Sequence, residues 1–227
     1  VFERIRREFN VAIRSGKPRV MTRETIAGPG EADTLLDRVL KIGVDETLHL
    51  KARARVRVTP TDRDGGIHTH TEPRTLPPDS RLSRDQEDAV RHGLDDALAG
   101  GPLEGAPLQD ITAEVMEVEL FGTASSPQAL RMATSRAARE AMALAGGQRM
   151  QPLMNVEVVV PDENFGSVLG DLQARQTTIT DTDTDQGMGT IRGLCPLSSL
   201  LGYTTDLRSM TRGRGQFTME FCRFDVA

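Results

Sequence analysis

The residues best suited to chemistry in this chain are arginines. Arg208, Arg212 and Arg214 fall within seven residues, interleaved with Gly213 and Gly215, on a turn that leads into a strand pattern. A glycine-rich turn of this kind offers backbone N–H groups and guanidinium forks to phosphates. It reads equally as a plain exposed connection. A second group, Arg53, Arg55 and Arg57, alternates with apolar residues and with Lys51 forms a row of four cations on one face of a strand. That row is either a solvated sheet face balanced by neighbouring acids or a surface turned toward RNA. These six arginines are the candidate contact residues.

Other chemistry is weakly represented. His68, His70 and Glu72 alternate along a strand pattern and share a side, but three loosely spaced ligands do not define a metal site, and no metal is expected. Cys195 and Cys222 read as thiols of a type that prefers burial, not as a redox pair. No Ser, His and acid arrangement stands out, and nothing matches the Gly-x-x-x-x-Gly-Lys-Ser/Thr phosphate loop. The chain itself is therefore expected to carry neither catalytic residues nor a cofactor.

Composition narrows the class. At 227 residues the chain suits one to two domains, and 37% hydrophobic residues plus 21 Gly suffice for a folded core. No apolar run approaches the roughly 20 residues a bilayer span needs. A membrane segment or secretory leader is thus not expected, and two cysteines fit a reducing cytoplasm. The 28 cations against 33 acids give −5, unevenly spread: residues 1–23 carry +5 and the remainder −10. Of the 28 cations 25 are Arg, the side chain suited to forked phosphate contacts, although codon bias gives the same count.

The positioning elements follow from periodicity. Val1, Phe2, Ile5 and Phe9 have helical spacing with no cap and no initiator Met, which reads as a piece of a longer protein. Short strands are expected over Val11–Ile13 and Arg19–Ile26, with the first boundary at Gly16. Residues 27–47 read as a loop holding one short helix through Leu35, Leu36, Val39 and Leu40. His49–Val58 alternates as a half-buried strand; Ser83 caps a helix through Leu98; Ile111–Leu120 is a strand whose parity slips as a bulge requires. Pro127–Leu144 is a helix with Leu130, Ala133, Ala137, Ala141 and Leu144 inward.

The last 77 residues read as βαββαβ. Strands fall at Val156–Val160, Thr177–Thr182, Met188–Leu194 and Phe217–Phe224, with a helix over Asp162–Ala174 and a second beginning at Pro196. This is a ferredoxin-like sandwich with both helices on one sheet face. Gly166 and Gly170 are expected to let the first helix lie close on the sheet.

At Leu200-Leu201-Gly202-Tyr203 and Met210-Thr211-Arg212-Gly213-Arg214-Gly215-Gln216-Phe217 the sequence resembles the last domain of bacterial elongation factor G. Pro152-Leu153-Met154-Asn155-Val156 and Gly166-Ser167-Val168-Leu169-Gly170 resemble the same domain's first strand and helix. Gly16-Lys17-Pro18-Arg19-Val20-Met21-Thr22-Arg23-Glu24 resembles the family's entry into its fourth domain, and Gly101-Pro102-Leu103-Glu104-Gly105-Ala106-Pro107-Leu108 a later turn of that domain. The resemblance implies an α+β chain of two sandwich domains. By that resemblance residues 1–15 would be the end of a domain III, 16–149 a ribosomal-protein-like βα domain IV with a left-handed crossover, and 150–227 the ferredoxin-like domain V.

It further implies the C-terminal part of a translational GTPase, with GTP and magnesium held by an N-terminal domain outside these residues. The implied partners are the ribosome, its RNA and proteins, and tRNA and mRNA at the decoding centre. The protein would act as a monomer in the cytoplasm. Two tip loops depart from the family: Leu40–Thr47 is acidic and lacks Gly-Arg-Gly, and Phe121–Pro127 is short and lacks His. No tip residue is carried over, and the departure suggests a diverged paralog. The alternatives are ribosome recycling or rescue, or a protein-interaction module that has lost RNA contact, to which the −10 balance speaks.

Overall fold

A computed structural model of the protein describes residues 20–43 and 46–226. The elements expected at Val1–Phe9 and Val11–Ile13 lie outside the described residues. The chain runs β1 (Arg23–Ile26), β2 (Gly30–Lys41), β3 (Thr47–Pro60), β4 (Ile67–His70), β5 (Arg74–Leu76), α1 (Arg84–Leu98), β6 (Ile111–Leu120) and α2 (Pro127–Ala145). It continues with β7 (Gly147–Pro161), α3 (Asp162–Ala174), β8 (Thr178–Asp185), β9 (Met188–Pro196), α4 (Tyr203–Thr211) and β10 (Gln216–Val226).

The first sheet is ordered β2-β3-β6, with β4 and then β5 running parallel along β6. In β3 the alternating Leu50, Ala52, Ala54, Val56 and Val58 are fully buried, as their pattern requires. The expectation of a loop and helix over 27–47 is not met, because β2 is a twelve-residue strand hairpinned onto β3. The helix-like spacing of Leu35, Leu36, Val39 and Leu40 hides a second alternation. Ala32, Thr34 and Leu36 face inward, while Glu31, Asp33 and Asp37 face outward beside the cations of β3. Cross-strand pairing outweighs the local period. The bulge in β6 is present: Arg55 pairs Glu117 and Val56 pairs Val115, leaving Met116 without a partner on β3.

Helix α2 packs on β2 and β3, and α1 packs on α2. Ser83 and Gln86 form a reciprocal capping box at the start of α1. A Cβ on Gly93 would lie 2.4 Å from the Arg131 carbonyl oxygen, so glycine permits the close crossing of the two helices. Leu144 is not inward but 70% exposed. The buried stripe of α2 runs through Thr134, Ala138, Ala141 and Ala145, which leaves Leu144 at its rim.

The second sheet is built on β7, which lies between β9 on one edge and β10 on the other, with β1 pairing its first residues and β8 beyond β9, all antiparallel. Helices α3 and α4 cover Val156, Val158 and Val160, and Tyr203 sets its ring edge-on to Phe217 at 4.9 Å. The expected βαββαβ order is present with two corrections. Pro196 ends β9 instead of starting a helix. A single 3-10 turn follows at Leu197–Leu200, and Gly202 at φ 84° breaks the chain before α4 begins at Tyr203. Gly166 and Gly170 face open space, with nothing within 4 Å of a built Cβ; the close approach is instead at Gly189, where Phe165 packs.

The two sheets are joined through Glu24. Its carboxylate is 1% exposed and accepts backbone N–H bonds from Leu103 at 2.7 Å, Glu104 at 2.8 Å and Ala106 at 3.0 Å. Its own N–H donates to Pro107, and its carbonyl accepts from Gln109. A Cβ on Gly101 would lie 2.2 Å from the carboxylate, which explains glycine there. Beside it, Arg23 donates to Gln109 at 2.9 Å and stacks 4.5 Å over Phe224, and Arg63 pairs with Asp225 at 3.1 Å.

Burial pushes the Glu24 pKa up, but the three backbone donors and the nearby Arg149 outweigh it and hold the carboxyl below its ordinary value. The stability so gained is complete above the unfolded carboxylate pKa and is lost as the pH falls through the lowered one. Glu24→Gln, which turns an amide NH2 toward these donors, is expected to cost about 1.5–3 kcal/mol at neutral pH. Urea unfolding of both proteins across pH should show that difference shrinking in acid.

Candidate nucleic-acid interface

Arg208, Arg212 and Arg214 are brought to one exposed corner of the second sheet's helical face. Arg208 is on the last turn of α4, not on the turn as the sequence suggests. Arg212 caps the helix in the left-handed region at φ 51°, followed by Gly213 at φ 80°. The Arg208 carbonyl accepts from Gly213 N–H at 2.8 Å. Thr211, fully buried, donates its hydroxyl to the Leu207 carbonyl at 2.7 Å and accepts from Gly215 N–H at 2.9 Å. The turn is thus tied down from beneath while its cations face out. Arg214 pairs with Glu163, whose pKa is lowered by that hydrogen bond and charge. Among the described residues Arg208 and Arg212 meet no carboxylate within salt-bridge distance.

The second group stands differently. Arg53 bonds Asp33 through both forks at 2.7 and 2.6 Å and reaches Glu119 at 3.5 Å. Arg55 and Arg57 share Glu31, Arg57 at 2.9 Å. Lys51 meets Asp37 at 2.9 Å. The cation row is flanked by Glu31, Asp33 and Asp37 of β2 and by Glu114, Glu117 and Glu119 of β6. Six carboxylates beside these four cations and Arg74 of β5, opposite Glu117, leave this face slightly acidic. The shared contacts hold Glu31 below its ordinary pKa through hydrogen bonds from Arg57 and Arg55. Such a face repels phosphate at a distance and offers guanidinium groups only if carboxylates release them.

A third cationic group escaped the sequence reading. Arg131, Arg136 and Arg139 lie along α2 beside Arg38 of β2. Arg131 and Arg139 stand eight residues apart, two helical turns, with Ser135 between, a spacing present in the sequence.

His68 and His70 are exposed on β4, and Glu72 follows the strand. Among the described residues no three His, Cys, Asp or Glu side chains gather as a metal would need. Cys195 is buried with its thiol pKa pushed up by that burial, Cys222 is half-buried, and both are free. No helix among the described residues is long and apolar enough to cross a membrane.

Comparison with known proteins places these features in one family. The family model described as elongation factor G, domain IV, matches residues 18–146, and that of the elongation factor G C-terminus matches residues 148–227. The chain is similar to elongation factor G 2 of Syntrophus aciditrophicus, 35% identical over 99% of this chain and 32% of that protein. It is also similar to elongation factor G 2 of Geobacter metallireducens, 31% identical over all of this chain and 32% of that one. It therefore spans about a third of the length of these curated relatives. In fold it resembles a crystal structure from Thermus thermophilus, with a TM-score of 0.75, 24% identity, and coverage of 97% of this chain and 32% of the other. Two sandwich domains in the order seen here, matched by family models over nearly every residue, make this chain a member of the elongation factor G family.

Proposed function

We propose that this chain is the C-terminal, ribosome-engaging part of an elongation-factor-G-type GTPase that supports GTP-dependent translocation of tRNA and mRNA. The chain acts as a docking and mechanical element. GTP and magnesium belong to a nucleotide domain of the whole protein, which works as a monomer in the cytoplasm. The observation that carries this reading is the corner after α4. A buried threonine fixes a left-handed turn there, and Arg208 and Arg212 project from it with no carboxylate partner among the described residues. Solvent-facing arginines on a fixed backbone turn suit ribosomal RNA phosphates, because the turn itself need not be ordered on contact. Arg214 joins them at the expense of its pair with Glu163. Arg53, Arg55 and Arg57 rank second, since each must first leave Glu31, Asp33 or Glu119.

A second reading, ribosome recycling or rescue, is favoured by the β2–β3 hairpin. Between Arg38 and Lys51 it carries Lys41 against Asp45 and Glu46 and contains no arginine. A hairpin so charged gains little from RNA at the decoding centre.

Co-sedimentation of the chain with bacterial ribosomes over a salt series tests the docking role. Changing Arg208, Arg212 and Arg214 together to Ala should weaken binding and reduce the slope of log affinity against log salt by about 2. Thr211→Val keeps all three arginines but frees the turn, and should weaken binding by a smaller factor. Unchanged affinity and slope in the triple variant would overturn the assignment. Absence of binding at every salt concentration would favour a protein-interaction module.

A further inference from the structure

We propose that a cleft between α2 and the β2–β3 hairpin binds the phosphate groups of a nucleotide, free or within an RNA strand. The cleft has a volume of about 550 Å3 and is lined by Arg38, Arg131, Arg136 and Arg139, with Gln128 and Ser135 between them. Two carboxylates enter it, and both are engaged. Asp96 takes Arg131 through two bonds of 2.6 and 2.9 Å. Glu140 takes Arg136 at 2.9 Å and the Thr34 hydroxyl at 2.6 Å. Both are held below their ordinary pKa by these contacts, so they stay charged and occupied at neutral pH.

Arg38 and Arg139 are left over. Arg139 donates one N–H to the Asp96 backbone carbonyl at 3.2 Å, and among the described residues neither arginine meets a carboxylate. Four guanidinium groups against two carboxylates leave two positive charges in one cleft. A phosphomonoester supplies about −1.5 to −2, which would neutralise that excess. The planar fork of Arg matches phosphate oxygens bidentately. Arg131 and Arg139 stand about 12 Å apart along the helix axis, room for more than one phosphate. Half-buried Met132, packed over buried Leu36, gives the cleft a small apolar side on which a base or ribose can rest. A small neutral ligand would leave the charge excess unrelieved, and a cation would add to it.

The site is separate from the turn after α4, so its failure and that of the docking assignment are independent. The test uses fluorescence anisotropy of a dye-labelled ten-nucleotide oligouridylate, with unlabelled ATP as competitor. Proteins are the chain and its Arg38→Ala/Arg139→Ala variant, each also in the Arg208, Arg212, Arg214 triple-Ala background. Neither Arg38 nor Arg139 holds an ion pair among the described residues, and circular dichroism checks that the variant remains folded. In the triple-Ala background the double variant should bind oligouridylate at least tenfold more weakly. Its salt slope should be smaller by about 1.4. Displacement by ATP identifies free nucleotides as sufficient ligands; oligouridylate bound but not displaced identifies the RNA strand. Equal affinity with and without Arg38 and Arg139, or no binding of either probe, overturns the proposal.

Discussion

The buried carboxylate of Glu24 is the contact on which the joining of the two sheets depends. Glu24 belongs to β1, which pairs with the first residues of β7 in the second sheet. Its side chain closes the 101–107 loop that follows α1 of the first domain. An ionised carboxylate at 1% exposure is tolerable only because three N–H groups replace its water. The N–H groups of Leu103, Glu104 and Ala106 gain an acceptor in return. Gly101 leaves the space, and Arg23 and Arg63 extend the joint to Phe224 and Asp225 of the last strand.

Electrostatic placement separates the three arginine groups. On the β3 face Arg55 and Arg57 lie opposite acids on both neighbouring strands, Arg53 lies opposite Glu119 and bonds Asp33, and Lys51 lies opposite Asp37, so the sheet neutralises its own charge. At the turn after α4 the backbone itself is the scaffold, and nearby acids are few. In the α2 cleft the carboxylates cover two of four cations. Residue type is the same throughout; what differs is how many carboxylates the fold brings within reach.

Much of this was legible in sequence, and the failures have physical reasons. The strand at His49–Val58, the cap at Ser83 and the bulge within Ile111–Leu120 were readable because each is set by local alternation or capping chemistry. Strand β2 was not, since its register depends on pairing Glu31, Asp33 and Asp37 with cations some 20 residues away. Pro196 misled because it suits a first helical residue as well as a strand end, and Gly202 decided the matter. The arginines of the candidate site were visible as a motif, but their partners were not. Whether Arg55 is free or held by Glu31 is a tertiary fact. Glu24 gave no signal: an acid in a short strand acquires its role only when the 101–107 loop folds over it.

The central claim is that the fold serves ribosomal translocation. It is tested most directly by following mRNA movement on programmed bacterial ribosomes with the full-length protein and GTP. The account predicts that mRNA advances by one codon, and more slowly when Arg208, Arg212 and Arg214 are all Ala. Ribosomes that separate into subunits with no mRNA movement would contradict it in favour of recycling, and ribosomes left unchanged would contradict any direct role in translation.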